Sequence, residues 1–167
     1  MGNPANLRLA PAIVRLDGTD LGYTSYDNAI EVADTSKGIE LKAAQEGDTA
    51  VDIILSGHGC TVKVPLAEVT PEKLAMAIPN STLVGGLVTI KNRPGLSLRS
   101  LAKPLTVTRI IGGVESTDPN DILTFGEVTP MPGTVTQIFD AKKQQELLLT
   151  LVAWPDPTTK NFYTVGA

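Results

Sequence analysis

The residues best suited to chemistry are a histidine and a cysteine separated by one glycine, His58-Gly59-Cys60. A histidine can activate a cysteine nucleophile, and both side chains are common zinc ligands. The chain contains one histidine and one cysteine, so a Cys/His zinc site of three or four ligands would also need carboxylates. No oxyanion-donor motif accompanies the pair. We therefore expect a polar turn followed by a small buried thiol, because free cysteine is among the most buried residue types.

Two other kinds of motif also favour structural roles. Asp118-Pro119-Asn120-Asp121 offers oxygen ligands but lacks the spacing and trailing Glu of a calcium loop, so it predicts an Asx-type turn. The pairs Gly85-Gly86 and Gly112-Gly113 lack the Lys-Ser/Thr ending of a phosphate loop, and we interpret them as strand glycines. We expect no catalytic residue, no metal site and no cofactor.

The composition indicates one soluble domain. The chain has 167 residues, a net charge of -4 and a mean hydropathy of +0.08, which disfavours attraction to free nucleic acid or to an anionic membrane. It has no apolar run of membrane-spanning length and no signal-peptide pattern at its start. A single cysteine requires no oxidising compartment, so we expect synthesis in the cytoplasm.

The stretch at 47–79 has the clearest local punctuation. Apolar and polar residues alternate at 49–56 and again at 61–69, which predicts two half-buried strands joined by a turn at 56–59. Thr70 is a good N-cap and Pro71 suits the first helical position, so a short helix is expected at 72–78. The unit is therefore predicted to be a hairpin followed by a helix.

The rest of the chain predicts short strands and turns. One hairpin is expected to pair 29–34 with 38–43, and a Gly-interrupted strand is expected at 83–90. Residues 147–154 are apolar at both odd and even positions, which predicts a strand buried on both faces and stopped by Pro155, although the residues before it have high helix propensity. Further strands are expected at 12–17, 105–110, 122–129 and 134–139, with a turn at 140–145.

Together these elements predict a mainly β fold, a β-sandwich or flattened barrel with one short flanking α-helix. We divide the chain into an N-terminal arm at 1–11, the β domain at 12–156 and a C-terminal tail at 157–167 that is either loose or a packing arm. The first half is acidic, which is typical of a solvated outer face; the alternative is a surface that repels a passing polyanion.

The order of these segments resembles major tail tube proteins of tailed bacteriophages. The resemblance rests on the turn at 18–23, the strand with Glu40-Leu41-Lys42, the strand Thr-Val-Lys-Val-Pro-Leu-Ala-Glu at 61–68, the helix at 72–78, and the late strand ending Ala-Trp-Pro-Asp at 153–156. It covers about 12–156. The N-terminal arm and the short C-terminal tail depart from the pattern.

The resemblance implies a structural virion protein that is made in the host cytoplasm and is not an enzyme. In that family, β-sandwich subunits form stacked hexameric rings whose strands build a hollow tube for DNA. Implied partners are other copies of the chain, a tape-measure protein, and terminator and tip or baseplate proteins; DNA transits without specific binding, and no membrane is involved. The hairpins at 31–46 and 49–69 would then supply the wall. Candidates for the lumen or the subunit interface are Asp34, Glu40, Asp52, Lys63 and Glu68.

Three alternatives remain open at this point. The chain could form the tube of a contractile injection or secretion device, related to type VI secretion and tailocin tubes. It could be a small hydrolase that uses His58 and Cys60. It could also be a carbohydrate- or surface-binding module, for which Tyr23, Tyr26 and Tyr163 are the available tyrosine stacking platforms.

Overall fold

The structure is a computed structural model that describes residues 11–25, 28–133 and 146–166. The predicted N-terminal arm, apart from Pro11, lies outside these residues, as do the strand expected at 134–139, the turn expected at 140–145, and Tyr26. The mainly β class with one short helix is confirmed, and the arrangement is consistent with a β-sandwich or flattened barrel.

The described residues form eleven strands, one α-helix and three short 3-10 helices. The strands are β1 (Ala12–Leu16), β2 (Thr19–Asp20), β3 (Glu31–Lys42), β4 (Ala50–Leu66), β5 (Ser81–Val84), β6 (Leu87–Ile90), β7 (Lys103–Ile111), β8 (Val114–Glu115), β9 (Ile122–Pro130), β10 (Leu147–Trp154) and β11 (Tyr163–Val165). The α-helix α1 is Pro71–Ala77, and the 3-10 helices are Ala44–Glu46, Leu98–Leu101 and Pro119–Asp121.

Nine strands join one antiparallel sheet in the order β2-β1-β7-β9-β10-β4-β3, with β8 paired to β7 and β11 paired to β9. β10 pairs with the second half of β9 and β11 with its first half, so β11 continues the line of β10 after an excursion at 155–162. The C-terminal segment, left open as a loose tail or a packing arm, therefore packs on the sheet.

The core lies on one face of the central strands. Val62, Val64 and Leu66 of β4 are fully buried, as alternation predicts. The predicted strand at 147–154 is confirmed, so Leu147, Leu148 and Leu149 lie in a strand despite the high helix propensity of leucine. Its burial on both faces is not complete, because Leu149 is fully buried whereas Leu148 is 39% exposed.

The two predicted hairpins are wrong, because the structure has one long hairpin in their place. The stretch at 56–59 is not a turn: β4 continues without a break through Gly57, His58 and Gly59. β3 likewise runs through the turn expected at 35–37. The whole of β3 pairs with β4 from Ala50 to Lys63, with Gly57 opposite Lys37 and Gly59 opposite Thr35. Glycine permits a turn but does not require one, and neither Gly57 nor Gly59 has a positive φ.

The Gly-interrupted strand at 83–90 is also wrong. Gly85 and Gly86 have φ of 59° and 81°, as a two-residue hairpin turn with positive φ at both positions requires. They reverse the chain between β5 and β6, which form a separate two-stranded sheet. This hairpin packs against α1.

The predicted helix is confirmed within one residue at each end. The Thr70 hydroxyl accepts a hydrogen bond of 3.4 Å from the Lys73 amide, and Pro71 occupies the first turn. The helix therefore begins where the N-cap Thr70 and the first-turn Pro71 predict. The helix packs against the β5–β6 hairpin, which therefore lies next to the end of the sheet where β4 ends.

Candidate functional site

The distal part of the β3–β4 hairpin projects from the sheet. β4 pairs with β10 up to Cys60, which lies opposite Ala153; before Cys60, at 50–59, it pairs among the described residues with β3 alone. We call residues 35–42 of β3 and 50–59 of β4 the ribbon. At about 3.3 Å per residue, the ribbon is about 30 Å long. Within the described residues both of its edges lack a neighbouring strand, so their backbone groups can pair with another chain.

The ribbon is apolar on both faces. Ile39 and Ile54 lie opposite each other on one face, and Ile39 is 59% exposed; Ile53, 63% exposed, lies with Leu55 on the other face. An exposed apolar cluster of this kind marks an interaction surface on a soluble protein. The ribbon is therefore the strongest candidate for a binding surface.

Two bulges interrupt the pairing of β4 with β3. Lys37 pairs with Gly57 and Gly38 with Leu55, so Ser56 is an extra residue in β4. A second shift, between the pairs of Leu41 and Lys42, makes Val51 the other extra residue. The Ser56 hydroxyl donates a hydrogen bond of 2.9 Å to the Lys37 carbonyl. Bulges bend a strand and increase its twist, so they shape the ribbon.

Asp34, the first of the sequence-predicted residues, lies at the base of the ribbon opposite Cys60. Its Oδ2 accepts a hydrogen bond of 2.8 Å from the Tyr163 hydroxyl. This bond raises the pKa of Tyr163 above its usual value, and burial adds to the effect. Asp34 therefore links β3 to β11 through this hydrogen bond, and it is not a free carboxylate on the ribbon.

Glu40 and Asp52 lie on the ribbon, on opposite faces. Glu40 is paired with Ile53, and Asp52 is paired with Leu41. Asp52 accepts a hydrogen bond of 2.7 Å from the backbone amide of Ile53. Each face of the ribbon thus combines apolar side chains with one carboxylate, and the ribbon also carries Lys37 and Lys42.

Lys63 and Glu68 are not on the ribbon. The Lys63 ammonium forms a 2.9 Å salt bridge with Glu31 on the exposed face of the sheet. Glu68 forms an ion pair with Lys73 of α1, whose side chain is largely buried. The five predicted residues are therefore not one site: Glu40 and Asp52 share the ribbon, Asp34 lies at its base, and the other two form separate ion pairs.

The His58 and Cys60 pair has poor geometry for nucleophilic chemistry. Cys60 is buried, as expected, whereas His58 is exposed. Burial, together with the nearby Asp34 carboxylate, raises the pKa of Cys60 to about 12. The thiol is therefore protonated at neutral pH, and only the thiolate is strongly nucleophilic. In the part of the chain that the structure describes, no group of three His, Cys, Asp or Glu side chains is placed to hold a metal ion.

A second projection is formed by β5 and β6, and we call residues 81–90 the finger. Val84 and Leu87 flank its turn and are 75% and 69% exposed. At its base, the Asn80 side-chain amide donates a hydrogen bond of 2.7 Å to the Lys91 carbonyl. An isolated two-stranded hairpin is only marginally stable in water, so α1 and this bond hold the finger in place.

An apolar cleft of about 680 Å³ lies between α1, the base of the finger and the nearby end of the sheet. Its lining includes Met76, Leu83, Leu101 and Val128. The cleft adds to the apolar character of this end of the molecule.

The apolar residues of the ribbon were not predicted as a site, because alternation assigns Val51, Ile53 and Leu55 to the buried face of a half-buried strand. The available signal was Ile53-Ile54-Leu55, which is apolar at successive positions and therefore on both faces. A strand with one solvated face would leave part of such a run exposed to water. A projecting strand with partners on both faces would bury all of it.

No protein-family model matches this chain, and none of the curated proteins compared with it is detectably similar. None of the helices in residues 11–25, 28–133 and 146–166 is long and apolar enough to cross a membrane. The ribbon and the finger are therefore the features of the molecule that indicate a function.

Proposed function

We propose that this chain is a tail tube protein of a tailed bacteriophage, whose copies join into hexameric rings that stack as a hollow conduit for DNA. The observation that carries the proposal is the ribbon, with two unpaired edges and apolar residues on both faces. A surface of this kind needs neighbours on all sides. A wall built from ribbons of adjacent copies supplies them.

The two free edges of the ribbon belong to different strands. In a ring, the β3 edge of one copy pairs with the β4 edge of the next by backbone hydrogen bonds. The contact is heterologous, because its two sides are different surfaces, and a heterologous contact repeated by rotation closes as a ring. Every ribbon edge is then covered, which also removes the sites at which uncontrolled aggregation begins.

The acidic residues fit the passage of DNA. Asp52 lies on one ribbon face and Glu40 on the other, so either face brings a carboxylate to a lumen together with a lysine, Lys37 or Lys42, of which Lys42 is ion-paired with Asp48. Cations on the wall would bind phosphates and release counterions, whereas carboxylates repel the backbone and let it slide. The net charge of -4 has the same sign.

In this proposal the protein has no enzymatic role and resides in the virion tail, after synthesis in the host cytoplasm. Its partners are further copies of itself, a tape-measure protein in the lumen, and terminator and tip or baseplate proteins at the tube ends. The same ribbon would serve a contractile injection device. A sheath protein that co-purifies with the tubes would distinguish that device from a non-contractile tail.

Negative-stain electron microscopy of the concentrated chain, with light scattering after size exclusion, tests the proposal. We expect hollow rings or tubes with six-fold symmetry. Ile53→Asp should abolish them by placing a charge in the apolar contact, whereas Val114→Asp, at a 70% exposed site on β8, should not. A wild-type chain that stays monomeric even with a purified tip complex would contradict the proposal.

A further inference from the structure

The pairing of two ribbons needs a device that sets its register. The ribbon is apolar on both faces, and a slip by two residues leaves every side chain on the face that it already occupies. Apolar contacts alone therefore favour several registers about equally. Opposite charges across two strands stabilise one register, and like charges penalise another, so the charged residues of the ribbon are suited to select among them.

One face of the ribbon carries a single cation and a single carboxylate, and they belong to different strands. On the face that includes Ile39 and Ile54, β3 contributes Lys37 and β4 contributes Asp52. Both residues are exposed, and neither forms an ion pair with another described residue. Their charges are therefore available to a second copy of the chain.

The opposite face lacks this complementarity. There β3 contributes both Glu40 and Lys42, and Lys42 already forms an ion pair of 3.6 Å with Asp48. Within the ribbon, β4 contributes no Asp, Glu, Lys or Arg to this face. A lysine on a β3 edge can therefore meet a carboxylate on a β4 edge only on the first face.

We propose that Lys37 of one copy forms an ion pair with Asp52 of the next copy and thereby fixes the register of the ring, an inference that rests on the proposed tube and assigns the specificity of its subunit contact. Within one chain Asp52 lies opposite Leu41, four residues from Lys37 along β3. A neighbour displaced along the ribbon by four residues, about 13 Å, therefore places Lys37 and Asp52 directly opposite each other. A displacement by two residues places them diagonally, still within reach of a long side chain.

Both displacements are compatible with the rest of the ribbon. Each is an even number of residues, so Ile39 and Ile54 stay on one face of the joined strands and Ile53 stays on the other. The strands of a closed barrel must also be staggered relative to one another. The ion pair thus selects one staggered register from those that the apolar contacts allow.

Charge reversal on separate chains tests the pair. Lys37→Glu places two carboxylates at each contact and Asp52→Lys places two lysines, so either variant alone should need a protein concentration about tenfold higher than the wild-type chain to form rings. In an alternating mixture of the two variants every contact again joins opposite charges. We expect rings from the mixture at the wild-type concentration, with equal numbers of the two variants by native mass spectrometry. Glu40→Lys is the matched control, because it makes the same change of charge on the other face and should leave ring formation unchanged.

The outcomes separate this inference from the proposed tube. Wild-type rings together with rings from either single variant at the same concentration would overturn the ion pair and leave the tube proposal intact. So would a mixture that fails to form rings. If one chain that carries both substitutions forms rings and the mixture does not, the pair lies within a single chain, which also overturns the inference. A wild-type chain that forms no rings would overturn both proposals.

Cross-linking of the wild-type chain gives an independent measurement. A carbodiimide joins an amine to a carboxylate that is in contact with it. In rings assembled from isotopically light and heavy chains, we expect linked peptides that join Lys37 of a light chain to Asp52 of a heavy chain, and the reverse. Linked Lys37–Asp52 peptides in which both halves always carry the same isotope would place the pair within one chain and contradict the inference.

Discussion

The Tyr163 hydroxyl donates a hydrogen bond of 2.8 Å to Asp34, at the position where the ribbon leaves the sheet. The Tyr163 ring also packs on the buried ring of Phe125, with 5.1 Å between the ring centroids. The core is thereby connected through β11 to the base of the ribbon. A short C-terminal strand thus helps to set the direction of the largest projection on the molecule.

We expect Tyr163→Phe to loosen the base of the ribbon. Loss of one hydrogen bond should lower the free energy of unfolding by about 1 kcal/mol, while the ring contact with Phe125 is retained. Amide exchange measured by mass spectrometry should become faster at 31–37 and 57–62. Tyr23→Phe is the matched control, because Tyr23 is 78% exposed. Unchanged exchange at the ribbon base would show that the bond does not restrain it.

Replacing leucine with alanine should be costly in the core and nearly neutral on the ribbon. Leu151→Ala removes a fully buried side chain and should cost about 2–5 kcal/mol of unfolding free energy. Leu55→Ala, at a 56% exposed position, should change the stability of the monomer by less than about 0.5 kcal/mol. Urea unfolding measures both. A large loss for Leu55→Ala would mean that Leu55 is buried within the monomer.

Stability should fall at alkaline pH. Cys60 has a pKa near 12 in the folded chain, compared with an ordinary value of 9.0, and the pKa of Tyr163 is raised as well. The unfolded chain therefore releases these protons first, and the free energy of unfolding decreases as pH rises through the interval between the two pKa values. Urea titrations at neutral pH and at about pH 10 measure the loss.

Cys60→Ala, which lacks the thiol, should reduce this pH dependence. Rapid reaction of the native wild-type thiol with iodoacetamide at neutral pH would contradict the raised pKa, because the thiolate is the reactive form.

Glycine substitutions distinguish the extended ribbon from a true turn. Gly57→Ala should be neutral or stabilise the chain by up to about 1 kcal/mol, because the backbone is extended and an added Cβ meets no atom. Gly86→Ala should destabilise it by about 1 kcal/mol or more, because its φ is +81°. Thermal unfolding of both variants checks the prediction. Comparable losses of stability at the two sites would indicate a turn at 56–59, as the sequence predicts.

Local chemistry in the sequence predicted the short elements well. Thr70 and Pro71 fix the start of α1 through interactions within one turn, and the alternation of Val62, Val64 and Leu66 identifies a core strand. The long β3–β4 pairing was not predictable in this way. It depends on which distant strands meet, whereas glycine at Gly57 and Gly59 is compatible with both a strand and a turn.

The candidate site was predicted only in part, for a related reason. Asp34, Glu40, Asp52, Lys63 and Glu68 were candidates because they are charged. Charge alone does not show which of these side chains form a hydrogen bond or an ion pair within the chain. Tyr163 is 129 positions from Asp34, and no local pattern connects them. The apolar residues of the ribbon were assigned to the core, because a sequence does not reveal where a strand leaves its sheet.

The extra residues Ser56 and Val51 also oppose fibril formation. Amyloid requires identical flat strands stacked in register, and each bulge breaks that register and twists the strand. Deletion of both Ser56 and Val51 would remove the two register shifts and leave an uninterrupted β3–β4 ladder, and we expect thioflavin-positive fibrils from such a chain. In the wild-type chain the two bulges thus disfavour a cross-β spine built from this long apolar hairpin.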